Sequence, residues 1–390
     1  MRKNVCLAIL LCACCWPSWA QLQRYSVDFE LSEEDFVDTI PIRFHDDQIY
    51  IDAEIDGQTY VFNFDTGSSQ GMMYYDGNII PTESLGGIVS KDANERRDTV
   101  EVVMMPDFRL GHLLVSRYVA TMIDRPHGRR NYDAILGFDI VNKGLVCKID
   151  VRAGHMILTD RRNFFEAEEG FEVKYKLHWF VPHVWVSPFI RHADKALFDT
   201  GSRALYTMNK ENFDRHAFKS KNVESQVESR SKGHLAIGNF GAEAIDEVVF
   251  LKLDRLKWGD FSFLDVSSIT TQGSSRVGAA MLNYGSVIID PFRKRMRFLP
   301  YSDADSCAVE NKTFGVAFVP VNGRAAVGLI RETSEEFRNG MRQGDIIVKI
   351  NNDVIDSFDK FTHYRFVKGE EYTFTLIDPR GFTKEVKSTR

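Results

Sequence analysis

The chain contains an internal repeat that spans most of its length and restricts the folds open to it. In the first copy, three predicted strands precede one short motif: Ile40–Phe44, Ile49–Ile55 and Tyr60–Phe64, then Asp65-Thr66-Gly67-Ser68. In the second copy, the same order recurs: Val173–Leu177, Val184–Ile190 and Ala196–Phe198, then Asp199-Thr200-Gly201-Ser202. One Asp-Thr-Gly tripeptide arises easily by chance, but two copies in matching surroundings are a much stronger signal. The sequence therefore predicts two similar β-rich lobes in one chain.

The repeat continues beyond the two Asp-Thr-Gly motifs. Ala134-Ile135-Leu136-Gly137 precedes a predicted short helix at 139–144 and the predicted strand Leu145–Asp150. Arg276-Val277-Gly278 precedes a similar segment at 281–285 and the predicted strand Ser286–Asp290. Because the elements follow the same order in both halves, we expect one lobe at residues 21–160 and the other at 161–300.

These motifs resemble the aspartic proteases, and more narrowly the retropepsin-like and bacterial aspartyl proteases. The resemblance covers about residues 38–300 and is carried by the two Phe-Asp-Thr-Gly-Ser segments, by Ala134–Gly137 and by Val277-Gly278. It implies a mostly β, bilobal fold in which Asp65 and Asp199 face one another as the catalytic pair. Two carboxylates about 3 Å apart do not both ionise easily, so they share a proton and act as base and acid toward a water.

The resemblance also implies supporting roles for the residues after each aspartate. The glycines let main-chain N–H groups approach the carboxylates, the threonine hydroxyls reach across the lobe interface, and the serine hydroxyls bond the outer carboxylate oxygens. These supporting residues are Thr66, Gly67, Ser68, Thr200, Gly201 and Ser202. A hairpin that covers the cleft is expected at 86–103, with its tip near 92–97, or at 233–249, with its tip at 238–241.

One position departs from the family pattern. Arg276 stands before Val277-Gly278, where the family usually has an aliphatic residue. Its long stem is expected to let the charge reach solvent. The departure leaves two functions open: an endopeptidase, or a peptide-binding scaffold that keeps the fold without turnover.

The last part of the chain has a different character. A polar linker is predicted at 301–309, followed by a domain at 310–390 that resembles bacterial PDZ domains through its helix, Gly340-Met341 corner, Gly344-Asp345 and strand. The resemblance implies a peptide-end-binding loop at Phe314, Gly315, Val316 and Ala317, where a C-terminal peptide adds to a sheet edge. The alternative is a small β-domain that only packs against the second lobe.

The N-terminus and the cysteine content indicate the cellular location of such a chain. Residues 1–20 read as a cleavable secretory signal, with a basic start, an apolar stretch and Ser18-Trp19-Ala20. Cys14 in a poor lipoprotein box leaves lipid anchoring as the alternative. Only Cys147 and Cys307 remain after the signal, which excludes a disulfide framework. We therefore expect a periplasmic or extracellular protein without a stable membrane span.

Other kinds of site fit the sequence poorly. A net charge of −6 without a long basic run disfavours nucleic acid as a partner. Gly67-Ser68-Ser69-Gln70-Gly71 matches a serine-hydrolase elbow but lacks the surrounding α/β alternation. His178 and His183 lack metal-ligand spacing, so neither a metal nor a cofactor is expected. The prediction is an exported aspartic endopeptidase that acts as a monomer on peptide or protein substrates.

Overall fold

The computed structural model describes residues 25–92, 96–125, 131–217, 219, 221–233, 237–238, 241–242, 245–310, 315–367 and 369–390. Within these ranges the chain is mostly β. No helix among the described residues is long and apolar enough to cross a membrane. The predicted signal at 1–20, with Cys14, lies outside the described residues.

The first lobe is built from strands joined by short turns, with one short helix. Its elements, in chain order, are β1 (Glu30–Leu31), β2 (Val37–His45), β3 (Gln48–Ile55), β4 (Gln58–Phe64), β5 (Gly71–Tyr74), β6 (Glu83–Lys91), β7 (Arg97–Met104), β8 (Phe108–Leu110), β9 (Leu113–Ser116), β10 (Val119–Ile123), β11 (Ala134–Leu136), α1 (Asp139–Asn142), β12 (Val146–Asp150) and β13 (His155–Thr159). Asp56-Gly57 closes the β3–β4 hairpin with both residues at positive φ, as the sequence signal for a tight turn predicts.

The second lobe repeats this plan. Its elements are β14 (Phe171–His178), β15 (Val181–Phe189), β16 (His192–Asp199), β17 (Tyr206–Asn209), α2 (Lys210–Ala217), α3 (Lys221–Glu224), β18 (Val227–Gly233), β19 (Ile237–Gly238), β20 (Gly241–Ala242), β21 (Asp246–Trp258), β22 (Phe261–Thr271), β23 (Arg276–Gly278), a 3₁₀ helix (Ala279–Asn283), β24 (Gly285–Asp290), β25 (Arg295–Pro300) and β26 (Ser306–Ala308). The strands and short helices predicted for both copies of the repeat are confirmed, and most of the strands are longer than the sequence pattern indicated.

The two lobes share the same strand connections around the Asp-Thr-Gly motifs. In the first, β11 lies between β4, to which it is parallel, and β5, to which it is antiparallel, and β5 pairs in parallel with β10. In the second, β23 lies in the same way between β16 and β17, and β17 pairs in parallel with β22. Ile135 and Arg276 hold equivalent positions, because each lies opposite the residue two places before the aspartate.

A six-stranded antiparallel sheet joins the lobes. Its order is β2–β13–β12–β24–β25–β14, so three strands come from each half of the chain. At its centre, β12 of the first half pairs with β24 of the second, with Cys147 opposite Ile289. Strand β24 is buried on both faces, since Val287 and Ile289 face the main core while Ile288 packs on Phe165.

The C-terminal unit is a separate small sheet with two short helices. It contains β27 (Val316–Val321), β28 (Arg324–Ile330), α4 (Glu335–Arg338), β29 (Ile346–Ile350), β30 (Asp353–Val354), α5 (Phe358–Thr362), β31 (Glu371–Ile377) and β32 (Thr383–Thr389). The sheet order is β27–β28–β29–β31–β32, with β30 on β29. Its core is its own, formed around Ile347, Ile350, Phe374 and Leu376.

This unit packs against the hairpin of β18 and β21 in the second lobe. Leu329 and Ala317 contact Val248 and Phe250 in a small apolar cluster. Arg331 forms an ion pair with Glu228 at 3.2 Å, and Gln343 Nε2 donates to the Lys232 carbonyl at 2.8 Å. The segment predicted as a linker, 301–309, holds strand β26, which pairs in parallel with β22. These residues are therefore held by the second lobe.

Candidate functional site

The two aspartates occupy equivalent turns at the ends of equivalent strands. Asp65 follows β4, and its backbone N–H donates to the carbonyl of Leu136 on β11 at 3.0 Å. Asp199 ends β16 and lies opposite Gly278 on β23. After each aspartate the turn closes in the same way, because the N–H of Ser68 donates to the Asp65 carbonyl and that of Ser202 to the Asp199 carbonyl. The repeat of the sequence is therefore a repeat of local geometry.

Four reciprocal hydrogen bonds lock the two turns together. Thr66 Oγ1 donates to the Phe198 carbonyl at 2.7 Å and accepts from the Thr200 N–H at 3.0 Å. Thr200 Oγ1 donates to the Phe64 carbonyl at 2.7 Å and accepts from the Thr66 N–H at 3.0 Å. Both threonines are buried, so each bond satisfies a main-chain group that has no access to water. The threonine hydroxyls thus reach across the lobe interface as predicted.

The glycines bring each carboxylate against the opposite turn. A Cβ atom on Gly67 would lie 2.5 Å from Asp199 Oδ1, and one on Gly201 would lie 2.5 Å from the carboxylate carbon of Asp65. Such contacts are far shorter than van der Waals distance, so only glycine fits at either position. The carboxylates of Asp65 and Asp199 are therefore held at the interface of the two turns, each packed on the other's glycine.

Main-chain donors hold each carboxylate from its own side. The N–H of Gly67 donates to Asp65 Oδ1 at 2.8 Å, and the N–H of Gly201 donates to Asp199 Oδ1 at 3.0 Å. The N–H of Ser202 adds a longer bond to Asp199 Oδ1 at 3.2 Å. Backbone donors of this kind fix carboxylate orientation without the entropy loss of a flexible side chain.

The predicted role of the Ser68 hydroxyl differs from the structure. Its Oγ donates to the carbonyl of Gln70 at 2.7 Å, so its single proton is directed away from the Asp65 carboxylate. A hydroxyl two residues from a free carbonyl satisfies it locally, as serines in turns commonly do. For Ser202, the contact with Asp199 that the structure describes is made by the main-chain N–H.

Arg276 lies beside the pair and breaks its symmetry. Its Nε atom is 3.7 Å from Asp199 Oδ2, and the side chains of both residues are about nine-tenths buried. The expectation that the guanidinium reaches solvent is wrong, because the side chain turns inward from β23 toward the neighbouring carboxylate. In the first lobe the equivalent residue is Ile135, which brings no charge to Asp65.

A hairpin packs on a cluster of the first lobe that includes a residue of β11. Strands β6 and β7 pair from Glu83–Met104 to Lys91–Arg97, at the first of the two places predicted for a covering hairpin. Ile88 and Val100 of this hairpin contact a cluster that includes Tyr50, Met72 and Ile135. The predicted tip includes 93–95, which lie outside the described residues. At the second place β18 pairs with β21, and the predicted tip lies partly outside the described residues.

A row of three residues beside Asp199 crosses the strands of the second lobe. His183 lies opposite Leu197, which in turn lies opposite Arg276, so the three share one row across β15, β16 and β23. Burial, with smaller contributions from the charges of Lys195 and His178, lowers the pKa of His183 to about 4. His183 is therefore neutral at physiological pH, which leaves Arg276 as the buried cation of this row. No metal-binding cluster occurs among the residues the structure describes.

A second buried carboxylate, not singled out from the sequence, lies at the start of α1. Asp139 is fully buried, accepts a hydrogen bond from the Tyr118 hydroxyl at 2.7 Å, and has one oxygen, Oδ2, without a hydrogen-bond partner. Burial raises its pKa to about 7, although the Tyr118 bond opposes the rise. A charged group would be costly in this place, so the neutral acid is the favoured form below that pH.

We expect the free energy of unfolding to fall as the pH rises through the titration of Asp139. Its folded-state pKa, about 7, lies above the ordinary value of 3.8, so its contribution is fully present below about pH 4 and is lost by about pH 7. Urea unfolding at pH 4 to 8 should show a loss on the order of a few kcal/mol in the wild type. Asp139→Asn, which cannot ionise, should flatten this fall. Parallel curves for both proteins would contradict the assignment.

The predicted peptide-end loop is only partly described. Phe314 lies outside the described residues, while Val316 and Ala317 begin β27. The N–H of Gly315 donates to the buried carboxylate of Glu336 at 3.2 Å, and the other oxygen of Glu336 accepts from Ser388 at 2.6 Å. One amide of the loop is therefore engaged by a carboxylate of the chain itself, a contact that the sequence did not indicate.

Comparisons with known proteins add little to this geometry. No protein-family model matches the chain, and no curated protein matches it. Among solved structures, the chain is similar to an aspartic proteinase from Irpex lacteus, with a TM-score of 0.44 and 12% sequence identity. That similarity covers 68% of this chain and 98% of the other. A similarity of this size does not assign a function.

Proposed function

We propose that the chain is an aspartic endopeptidase whose catalytic groups are Asp65 and Asp199. The observation that supports this most strongly is the packing of each carboxylate on the glycine of the opposite turn. Two carboxylates drawn together in this way share one proton more readily than they both ionise. Thr66 and Thr200 keep the turns in this arrangement through the four hydrogen bonds between the lobes.

In this proposal the pair hydrolyses a peptide bond without a covalent intermediate. The ionised carboxylate takes a proton from a water, whose oxygen bonds to the scissile carbonyl carbon. The protonated carboxyl gives its proton to the carbonyl oxygen, which forms a neutral diol. The carboxyl that took the water proton then gives it to the peptide nitrogen, and the C–N bond breaks as one diol hydroxyl becomes the product carbonyl. That hydroxyl's proton passes to the other carboxylate, so the pair again holds one proton. The hairpin of β6 and β7 would shield the reacting groups from bulk water.

The remaining features are proposed to serve the same activity. The signal-like N-terminus supports export to the periplasm or beyond, with lipid anchoring at Cys14 as the alternative. Because both lobes lie in one chain, a monomer suffices. The C-terminal unit is proposed to be a PDZ-like module that binds peptide ends near Gly315–Ala317. Titration with labelled peptides should show binding of a free C-terminus and loss of binding on C-terminal amidation.

A peptide-binding protein without turnover is the second candidate, and one observation favours it. Arg276 places a buried positive charge 3.7 Å from Asp199. A charge so close to the pair stabilises its fully ionised form, which does not catalyse hydrolysis. The two candidates therefore differ in the protonation state that the pair reaches at working pH.

Cleavage of a diverse peptide library from pH 3 to 8 separates the candidates. We expect the wild type to cleave within the acid part of this range and a statine-type inhibitor to block it. Asp65→Asn should reduce the rate by about 100-fold to 10,000-fold, since a positioned acid or base contributes that much. If the folded wild type cleaves nothing at any pH but binds peptides, the second candidate is correct.

A further inference from the structure

We infer that Arg276 is a positioning residue that keeps the negative charge of the pair on Asp199, so that Asp65 carries the shared proton. This inference rests on the proposed peptidase function and assigns separate roles within it. Asp199 would be the base that takes the proton from water. Asp65 would be the acid that protonates the carbonyl oxygen.

Among the contacts that the structure describes around the pair, two differ between the carboxylates, and one of these two involves a charged side chain. Both carboxylates accept a main-chain N–H bond from the following glycine, and both pack on the opposite glycine. Only the second lobe places a guanidinium at the position where the first lobe has Ile135. The N–H of Ser202 adds a longer bond to Asp199 Oδ1 at 3.2 Å, and both this donor and the guanidinium favour the ionised form of Asp199.

The surroundings of Arg276 make its charge effective. Its side chain and that of Asp199 are about nine-tenths buried, so water screens their attraction only weakly. Among the described residues, Asp199 lies beside Arg276, and Asp65 lies on the opposite turn, against the glycine of the second Asp-Thr-Gly motif. His183 shares the row of Arg276, and the charge of Lys195 acts on His183. His183 is neutral above about pH 4 because burial lowers its pKa, and Lys195 is exposed. Arg276 is thus the buried positive charge that the pair meets.

The charge of Arg276 also shifts the pH range in which the pair holds one proton. A pair with one proton and Arg276 is electrically neutral, whereas the fully ionised pair with Arg276 carries one negative charge. Without Arg276 the same two states carry one and two negative charges. Arg276 therefore makes loss of the shared proton easier and moves both limbs of a bell-shaped rate profile toward lower pH.

The test is the pH profile of kcat/KM for the full chain, measured with Arg, Ile or Lys at position 276. Arg276→Ile copies the first lobe, and Arg276→Lys retains the positive charge. We expect the isoleucine variant to shift both limbs upward by about one to three pH units, as a lost opposite charge within this distance does. The lysine variant should stay near the wild type. An isoleucine profile that overlays the wild type would overturn the inference.

A second measurement does not depend on turnover. The changes in Tm caused by Arg276→Ile and Asp199→Asn should not add. The Tm change of the double variant should differ from the sum of the two single changes by about 5 °C. The cycle with Asp65→Asn in place of Asp199→Asn should be closer to additive. Equal coupling to both aspartates would overturn the inference. If the wild type is inactive while Arg276→Ile cleaves peptides, the ion pair blocks turnover, which also overturns the inference.

These outcomes separate failure of the inference from failure of the proposed function. If the wild type and every variant at position 276 cleave nothing, the peptidase proposal fails. In that case the unfolding cycles still decide whether Arg276 pairs selectively with Asp199. If the wild type cleaves and its profile does not depend on residue 276, the peptidase proposal stands and the inference fails.

Discussion

Gly67→Ala and Gly201→Ala are each expected to lower the proposed peptidase activity by at least about 100-fold. The added Cβ would lie 2.5 Å from an atom of the opposite carboxylate. To reach ordinary contact distance the carboxylate or its turn must move by about 1 Å. A displacement of that size at the reacting groups costs on the order of 100-fold, and overpacking should lower the free energy of unfolding by about 1–3 kcal/mol.

Gly87→Ala is the matched control for these substitutions. A Cβ at Gly87 would meet its nearest atoms at 3.5 Å, an ordinary contact, and the backbone there does not need positive φ. We expect its unfolding midpoint to stay close to the wild type. Full activity in Gly67→Ala or Gly201→Ala would show that the carboxylates do not lie against the opposite turns during catalysis.

Thr200→Val and Thr66→Val are each expected to destabilise the junction of the lobes by about 2–6 kcal/mol. In Thr200→Val the Phe64 carbonyl loses its donor and the Thr66 N–H loses its acceptor. In Thr66→Val the Phe198 carbonyl and the Thr200 N–H are left in the same state. Each buried group without a partner costs about 1–3 kcal/mol, and valine leaves two of them. Urea unfolding at a fixed pH measures the loss.

Serine at either position keeps the hydroxyl and removes the methyl group, so it distinguishes the effect of the hydrogen bonds from that of the methyl packing. Thr66→Ser and Thr200→Ser keep both hydrogen bonds, so each should retain most of the stability that the valine variant loses. A valine variant as stable as its serine counterpart would mean that the two hydrogen bonds it loses contribute nothing net to stability.

The duplicated lobes could be predicted because their signals are local. Alternating apolar residues and a turn such as Asp56-Gly57 specify each hairpin, and the strand that ends at Phe64 or Phe198 places the motif at its end. The bridging sheet had no such signal. Cys147 and Ile289 lie far apart in sequence, and nothing near either residue indicates that β12 and β24 pair.

The site residues could be predicted as a set, but not all of their contacts. The threonine bonds follow from two identical turns that face each other, which the repeat implies. The direction of the Arg276 side chain does not follow from its residue type. An arginine at this position can lie buried beside a carboxylate, as it does here, or extend to solvent. For Ser68, the resemblance implies a bond to Asp65, but its hydroxyl donates to a carbonyl two residues away.

Asp139 and Glu336 show a further limit of sequence patterns. Each is an ordinary acidic residue at the start of a short helix, where exposure is the usual expectation. Burial arises only when distant residues pack over them, Tyr118 in one case and Ser388 in the other. The burial of such groups can be seen in the folded chain but cannot be predicted from the residues next to them in the sequence.

Asp65 and Asp199 are proposed to act as one catalytic unit, and a double-mutant comparison of kcat/KM tests this directly. Asp65→Asn, Asp199→Asn and the double variant would be measured on one peptide that the wild type cleaves. Residues that act as a unit are strongly non-additive, so the double variant should be about as slow as either single variant. Substantial activity in one single variant, or losses that multiply in the double variant, would contradict the shared role.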